Sequence, residues 1–292
     1  MAKKAPTLSI ITVTKNRAPL LKKALASLVG QCKKGDEIIV VDASTDDTPA
    51  VVASFKKRLP LRYIRYFTPG YPAFYNKAAK VARGDILVFF DDDCVASPSF
   101  LSRIRHAHQK HPGSVIQGLT YSIPKGNLYV DIMGDHYQNW LAMMTVSGNR
   151  MKSFDSKNAS LPRSLFWQHR GLSSQMHRGS EDIELGMRLR RAGVPIYLDR
   201  SIVASHHERT TFRSFIAQHQ RFAASEGYLD RVLPPCDRLG VVPTKKLFLH
   251  LQSFLKRERT LIATRQWGRA LFVPFLYGML AIIRVWGYAT NR

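Results

Sequence analysis

The chain has 292 residues, a hydrophobic content of 45% and a formal net charge of +23. This size fits one large α/β domain with an appendage, and the charge calls for a polyanionic partner such as nucleic acid, anionic lipid or a phosphorylated substrate. The three cysteines, Cys32, Cys94 and Cys236, stand singly, which excludes a paired-cysteine metal site and a disulfide framework and favours a reducing compartment. The basic N-terminus has no apolar signal segment, so we expect a cytoplasmic protein.

Short apolar runs alternate with helical patterns through the first half of the chain. Strands are predicted at 8–13, 37–41, 61–66, 86–90 and 115–121, and helices at 19–29, 49–57, 72–83 and from Ser97-Pro98 to about 110. This alternation predicts a mainly parallel, doubly wound sheet flanked by helices. The stretch from Pro124 to Gln168 is predicted to be irregular. A further helix over 181–193, a short strand over 195–198 and an apolar piece over 202–204 then lead into His206-His207.

The composition changes near residue 231. Eleven basic residues against two acidic ones give the segment 231–292 a net charge of +9, with apolar side chains between the charges. We therefore expect one α/β domain over 1–230 and a basic amphipathic helical tail over 231–292. The apolar run Ala270–Ile283 is shorter than the roughly 20 residues that a membrane-spanning helix needs. Such a tail is typical of a protein lying on an anionic membrane surface, here the inner face of the cell membrane.

Three consecutive carboxylates, Asp91, Asp92 and Asp93, follow the apolar strand Ile86–Phe90. The carboxyl end of such a strand is where an open α/β sheet binds its ligands. Carboxylates crowded there repel one another unless a cation lies among them. A solvated acidic turn is the alternative, but a divalent cation holding a diphosphate accounts for the pattern better.

Other polar segments follow the predicted strands in a fixed order. They are Thr14-Lys15-Asn16-Arg17, Asp42-Ala43-Ser44-Thr45-Asp46, the acidic triplet and Gly179-Ser180-Glu181-Asp182. In this order they resemble the family-2 glycosyltransferases, over roughly residues 7–207. The resemblance implies a GT-A-type fold, a nucleotide-sugar donor, a glycan or glycolipid acceptor, and Mn²⁺ or Mg²⁺ as cofactor.

The resemblance also implies the residues that bind the donor. Asp42 would accept a hydrogen bond from the nucleobase, for which UDP is favoured and GDP is the alternative. Asp93 would bind the metal directly, with Asp91 on the metal's water shell or the ribose, and with His206 or its neighbour His207 completing the site. The other donor-binding candidates are Thr14, Arg17, Ser44, Asn76, Asp92 and Arg221. Tyr75 stands where the family more often has arginine, which leaves Lys77 or Lys80 to supply a charge.

Glu181 and Asp182 open a predicted helix, where acidic residues also suit the helix dipole. In the family pattern one of them is the general base, and we assign that role to Asp182 and an orienting role to Glu181. Displacement in one step would invert the anomeric centre. Further candidates with weaker support are Asn158 for the sugar pocket and Asp135, His136 and Trp140 for the acceptor site.

Two other functions fit parts of the sequence. A basic nucleic-acid-binding protein would explain the charge, but the chain has no recognisable nucleic-acid-binding motif, and an acidic triplet suits a phosphate backbone poorly. A catalytically inactive scaffold that binds sugar nucleotides would explain the acidic triplet but gives no role to Glu181 and Asp182. We therefore expect a metal-dependent, inverting glycosyltransferase that does not bind nucleic acid.

Overall fold

A computed structural model describes residues 5–68, 70–177, 179–234 and 243–291, without the side chains of 243–250, 288, 289 and 291. Cys236 and Arg238 lie outside this description. The described chain divides into two compact units. One contains residues 1–123, 144–177 and 181–207, and the other contains 124–143, 178–180 and 208–292. The predicted boundary after residue 230 falls near the end of a helix that groups with the second unit.

The elements of the described residues alternate as the sequence predicts in the first half. The strands are β1 Leu8–Thr14, β2 Glu37–Asp42, β3 Leu61–Arg65, β4 Ile86–Phe90, β5 Cys94–Ala96, β6 Val115–Ile123, β7 Thr145–Ser147, β8 Arg150–Met151, β9 Asn158–Pro162 and β10 Ile196–His207. The helices are α1 Ala18–Leu28, α2 Thr48–Phe55, α3 Tyr71–Val81, α4 Phe100–Lys110, α5 Leu128–Met144, α6 Arg163–Gln168, α7 Glu181–Arg191, α8 Phe212–Val232, α9 Pro243–Ala263 and α10 Trp267–Asn291.

The first unit is built on one mixed sheet with the strand order β3-β2-β1-β4-β9-β6-β10-β8-β7, while β5 pairs with β10. Strands β1 to β4 and the β6–β10 pair are parallel, and β9 runs antiparallel between β4 and β6. Strands β1, β2 and β4 are buried along their whole length, because helices cover both faces of a doubly wound sheet. The predicted mainly parallel α/β sheet is confirmed.

The register of the parallel strands aligns their carboxyl ends. Thr14 pairs with Asp42, and Asp42 pairs with Arg65. Ile11 pairs with Phe89 in β4, one residue before its end. The polar segments that follow β1, β2 and β4 therefore meet at one edge of the sheet, which positions the site described below.

Three local predictions were wrong. The segment 124–168 is not irregular, because it contains the 17-residue helix α5 and the strand β9. Helix α4 begins at Phe100 rather than at Ser97-Pro98, because Ser99 has a left-handed backbone with φ 65° that a right-handed helix cannot include. The two apolar pieces before His206 form one 12-residue strand, β10, with an irregularity between Asp199 and Val203.

The second unit is helical and has its own apolar core. Buried residues of α10 (Val273, Leu276 and Leu280) pack with Phe215 of α8 and Leu261 of α9. The helix α10 extends the apolar run beyond the predicted 270–283. By length and composition, Trp267–Gly287 could cross a membrane, although core helices of soluble proteins meet the same criteria. The apolar stretch of α10 is thus longer than the run Ala270–Ile283, since it also includes Trp267, Val285 and Trp286.

Candidate active site

The acidic triplet lies in a tight turn between β4 and β5, at the carboxyl edge of the sheet. The turn gives the three carboxylates different partners. Asp91 accepts a hydrogen bond from the Tyr75 hydroxyl at 2.8 Å. Asp92 accepts from the Thr14 hydroxyl at 2.7 Å and from the Arg17 guanidinium at 2.8 Å. The triplet is therefore part of a buried polar network and is not a solvated acidic turn.

His206 reaches Asp93 because of strand pairing. His206 pairs with Cys94, the residue directly after Asp93, and the His207 N–H donates to the Asp93 carbonyl at 2.8 Å. The His206 Nε2 atom lies 3.1 Å from Asp93 Oδ1. His206, rather than its neighbour His207, is the histidine that the strand directs at the triplet.

Asp91, Asp93 and His206 form a group that can hold a metal ion. One ligand atom from each lies within 4.8 Å of the other two, and carboxylate and imidazole groups are ordinary ligands of divalent ions. Burial, followed by the charge of Asp93, raises the pKa of Asp91 to about 7. The cluster thus carries more negative charge than its surroundings stabilise, and a divalent cation fits that imbalance.

Arg17 contacts two carboxylates of the triplet. Its Nη1 atom lies 2.8 Å from Asp92 Oδ1 and 2.7 Å from Asp93 Oδ2. Burial raises the pKa of Asp92 to about 6, and the charge of Arg17 opposes that shift. Two predicted donor-binding residues, Thr14 and Arg17, therefore both contact a third, Asp92.

Asp42 is fully buried at the end of β2. Its Oδ1 accepts from the Ser44 N–H at 2.7 Å, and its Oδ2 accepts from the Tyr63 hydroxyl and from Arg65 Nη1, the latter at 2.7 Å. Two carboxylate oxygens offer about four acceptor positions, so these three bonds fix the orientation of the Asp42 side chain. Ser44 is also buried, and its hydroxyl accepts from the Asn16 N–H at 2.7 Å. Ser44 therefore joins the loops after β1 and β2.

Asn76 has a bridging role in this structure. Its amide donates to the Leu172 carbonyl at 2.8 Å and accepts from the Leu172 N–H at 3.0 Å. These bonds hold the segment before α7 against α3. Tyr75, on the preceding position of α3, is buried with its hydroxyl on Asp91. The departure from arginine thus places a neutral donor, rather than a charge, beside the acidic triplet.

Glu181 and Asp182 begin α7, and their surroundings differ. Asp182 Oδ2 accepts from the Ser156 N–H at 2.8 Å and the Ser156 hydroxyl at 3.0 Å, and Oδ1 accepts from the Ile183 N–H at 2.8 Å. Burial and the charge of Asp155 raise the pKa of Asp182 to about 6. Burial and the charge of Asp182 raise the pKa of Glu181 to about 8. At neutral pH, Asp182 is the better proton acceptor and Glu181 is mostly protonated.

Sequence analysis missed Asp155 and Lys157. Asp155 Oδ2 lies 2.8 Å from Lys157 Nζ, and its charge raises the pKa of Asp91, Glu181 and Asp182. The four consecutive polar residues 155–158, in the stretch expected to be irregular, were the available signal. The neighbouring Asn158 is fully buried and donates to the carbonyl of Leu119 at 2.9 Å, so it ties β9 to β6.

The remaining candidates lie in the helical unit. Arg221 is on α8 with an exposed side chain. Asp135 pairs with Arg257 at 2.5 Å, His136 contacts Arg284, and Trp140 stacks on Tyr137 with ring centroids 5.8 Å apart. Asp135 and His136 therefore join α5 to other helices of this unit, while Trp140 packs along α5 itself.

Comparison with known proteins gives consistent matches. Over 241 residues the chain is 30% identical to validoxylamine A glucosyltransferase of Streptomyces hygroscopicus subsp. jinggangensis, covering 70% of this chain and 57% of that protein. The chain thus spans a little over half of that relative's length. It is 38% identical over 92 residues to the GalNAc(5)-diNAcBac-PP-undecaprenol beta-1,3-glucosyltransferase of Campylobacter jejuni, covering 30% of each chain.

A solved structure gives the same fold. The mannosyltransferase PcManGT from Pyrobaculum calidifontis, in complex with GDP-Man and Mn²⁺, aligns with a TM-score of 0.68 at 18% identity, covering 99% of this chain and 88% of that chain. This likeness confirms the predicted GT-A-type fold. The profile of glycosyl transferase family 2 matches residues 9–170. Because that match extends over more than half of the chain, the protein is a member of glycosyl transferase family 2.

Proposed function

We propose that this chain transfers a sugar from a nucleotide-diphosphate donor to a hydroxyl group of a lipid-linked or polysaccharide acceptor, with inversion at the anomeric carbon. The observation that carries the proposal is the group of Asp91, Asp93 and His206 at the carboxyl edge of the sheet. The buried Glu181 and the partly buried Asp182 belong to the same unit. The relatives named above transfer glucosyl groups, and one of them acts on a lipid-linked acceptor.

Asp91, Asp93 and His206 would hold Mn²⁺ or Mg²⁺, which supplies positive charge for a departing diphosphate when it is bound. Asp42 would orient the nucleobase by accepting its N–H. The three contacts described above leave about one of the four acceptor positions of the carboxylate for this bond. UDP is our preferred nucleotide, and GDP is the alternative because the PcManGT structure contains GDP-Man.

Asp182 is our candidate for the general base. Three hydrogen bonds fix its carboxylate and leave room for one more donor, the acceptor hydroxyl. Its pKa of about 6 is raised but still below 7, so the group is mostly ionised at neutral pH. The raised value also gives it a greater affinity for protons than an ordinary aspartate has, which suits base catalysis. Glu181, protonated under the same conditions, would donate a hydrogen bond that orients the acceptor.

Donor binding is tested by calorimetric titration with UDP and GDP, with and without Mn²⁺. We expect metal-dependent binding of one nucleotide that Asp93→Ala abolishes. The control Asp199→Ala removes a carboxylate of β10 that bonds only locally, to Ser201, and should leave binding intact. No binding by the folded wild-type protein in the presence of metal would reject the donor site and favour the nucleic-acid alternative.

Catalysis is tested with Asp182→Asn. General-base removal should lower turnover by about 10²- to 10⁴-fold while the dissociation constant of the nucleotide stays unchanged. Unaltered turnover would reject the base assignment. A wild-type protein that binds a sugar nucleotide but transfers no sugar to any lipid-linked or glycan acceptor would favour the inactive scaffold.

We also propose that the tail associates with an anionic membrane surface. Leu271, Phe275, Ile282 and Trp286 repeat at helical spacing on α10, and their side chains are 82%, 62%, 71% and 67% exposed. Val273 and Leu276 on the same helix are buried, so replacing only the exposed residues tests the surface without emptying the core. The triple variant Leu271→Gln/Phe275→Gln/Ile282→Gln should lose binding to anionic liposomes; undiminished binding would contradict the proposal.

A further inference from the structure

Arg17 contacts a carboxylate that belongs to the proposed metal site. Its Nη1 atom lies 2.7 Å from Asp93 Oδ2, while Asp93 Oδ1 faces His206 Nε2 at 3.1 Å. Both oxygens of Asp93 are therefore engaged by cationic or potentially cationic groups. The same nitrogen of Arg17 also lies 2.8 Å from Asp92, so the guanidinium bridges two members of the triplet.

The backbone around Arg17 fixes this arrangement. Asn16 adopts the left-handed conformation with φ 55°. The Asn16 N–H donates to the Ser44 hydroxyl at 2.7 Å, and its side-chain oxygen accepts from the Thr45 N–H at 2.7 Å. The Ala18 N–H donates to Asp46 at 3.1 Å. Because both neighbours of Arg17 are tied to the loop after β2, the guanidinium is presented to the triplet by the fold itself.

The charge of Arg17 affects both the carboxylates and an incoming ion. A guanidinium on Asp93 stabilises the crowded carboxylates when no other cation is near, and it repels a divalent ion approaching the same oxygens. A nucleotide diphosphate brings at least two negative charges, which a guanidinium binds well through paired hydrogen bonds. Arg17 is partly exposed, with 24% of its side chain accessible, so it can bind such a group from solvent.

We propose that Arg17 competes with the divalent ion for Asp93 and exchanges this contact for the diphosphate, so that metal and nucleotide bind as a coupled pair. The proposal rests on the donor site proposed above. It gives the metal a low affinity in the absence of nucleotide and a higher affinity in its presence. By linkage, the nucleotide gains the same factor from the metal.

The test is Mn²⁺ binding measured by electron paramagnetic resonance of the free ion, with and without UDP or GDP, and needs no turnover. Arg17→Gln should bind Mn²⁺ alone about tenfold more tightly than the wild type, and the enhancement by nucleotide should shrink by a similar factor. Arg17→Lys keeps the positive charge but not the paired hydrogen bonds of the guanidinium, and its Mn²⁺ affinity should lie between those of the wild type and Arg17→Gln. Asp93→Ala should lose the site, which identifies the binding that is measured.

Lys15→Gln is the matched control. Lys15 is exposed two residues before Arg17, and its replacement removes the same charge from the same loop. Because exposed charges are screened, we expect less than about a threefold change in Mn²⁺ affinity. Circular dichroism melting establishes that every variant is folded.

The outcomes separate the two proposals. If the wild type binds nucleotide with Mn²⁺ but Arg17→Gln binds Mn²⁺ alone no more tightly than the wild type or Lys15→Gln, the competition is refuted and the donor site stands. If the wild type binds no nucleotide in the presence of Mn²⁺, both proposals fall.

Discussion

Glu181→Gln should stabilise the protein, and the gain should grow with pH. Glu181 is 7% exposed, and its pKa is raised from 4.5 to about 8, first by burial and then by neighbouring carboxylates. A carboxyl group with a raised pKa in the folded state contributes stability below its unfolded pKa. This contribution is lost as the pH rises through the folded value. The neutral glutamine has no such loss.

The size of the gain follows from these two pKa values. Linkage gives a gain on the order of 1 kcal/mol at pH 5 and on the order of 3 kcal/mol at pH 7, increasing further toward pH 8. Urea unfolding followed by circular dichroism, in buffers containing a chelator, measures the free energy of unfolding at each pH. Glu184→Gln is the control on the same helix. It breaks the pair with Arg188, which lies 2.6 Å away, and should not stabilise. A Glu181→Gln protein less stable than wild type at pH 8, or a gain independent of pH, would refute the reasoning.

Three further outcomes are expected. The pH profile of kcat/KM should fall below about pH 6, where the Asp182 carboxylate becomes protonated; a profile flat down to pH 5 would contradict its role as base. Gly118→Ala should lower the free energy of unfolding by about 1–3 kcal/mol, because the new Cβ would overlap the buried side-chain amide of Asn158. Unchanged unfolding in urea would count against this packing. Asn76→Ala should cost about 1–3 kcal/mol through loss of its two bonds to the Leu172 backbone; a loss of nucleotide affinity without a loss of stability would instead indicate direct contact with the donor.

The sheet and its acidic edge could be predicted because they depend on local patterns. Strands buried on both faces have continuous apolar sequences, such as Ile86–Phe90. The residues that follow such strands meet at the carboxyl edge of the sheet. The order of the polar segments then indicated the family. The position of Asp93 beside His206 agrees with the predicted metal group.

Other features depend on tertiary pairing and leave little trace in the sequence. Strand β9 reads Asn-Ala-Ser-Leu-Pro, without an apolar run, yet it is inserted between β4 and β6 and is almost fully buried. The contacts of Arg17 with Asp93 and of Tyr75 with Asp91 join residues 76 and 16 positions apart. Residue type alone does not select such partners among the many that are available.

The pairing of β5 with β10 makes the spacing of two candidate metal ligands independent of the loops around them. Asp93 and His206 are separated by a distance that the backbone ladder dictates, through the His206–Cys94 pair and the His207 N–H bond to the Asp93 carbonyl. Insertions and exchanges in the connections on either side of these strands leave that ladder intact. Substitutions in those connections would therefore leave the spacing of Asp93 and His206 unchanged.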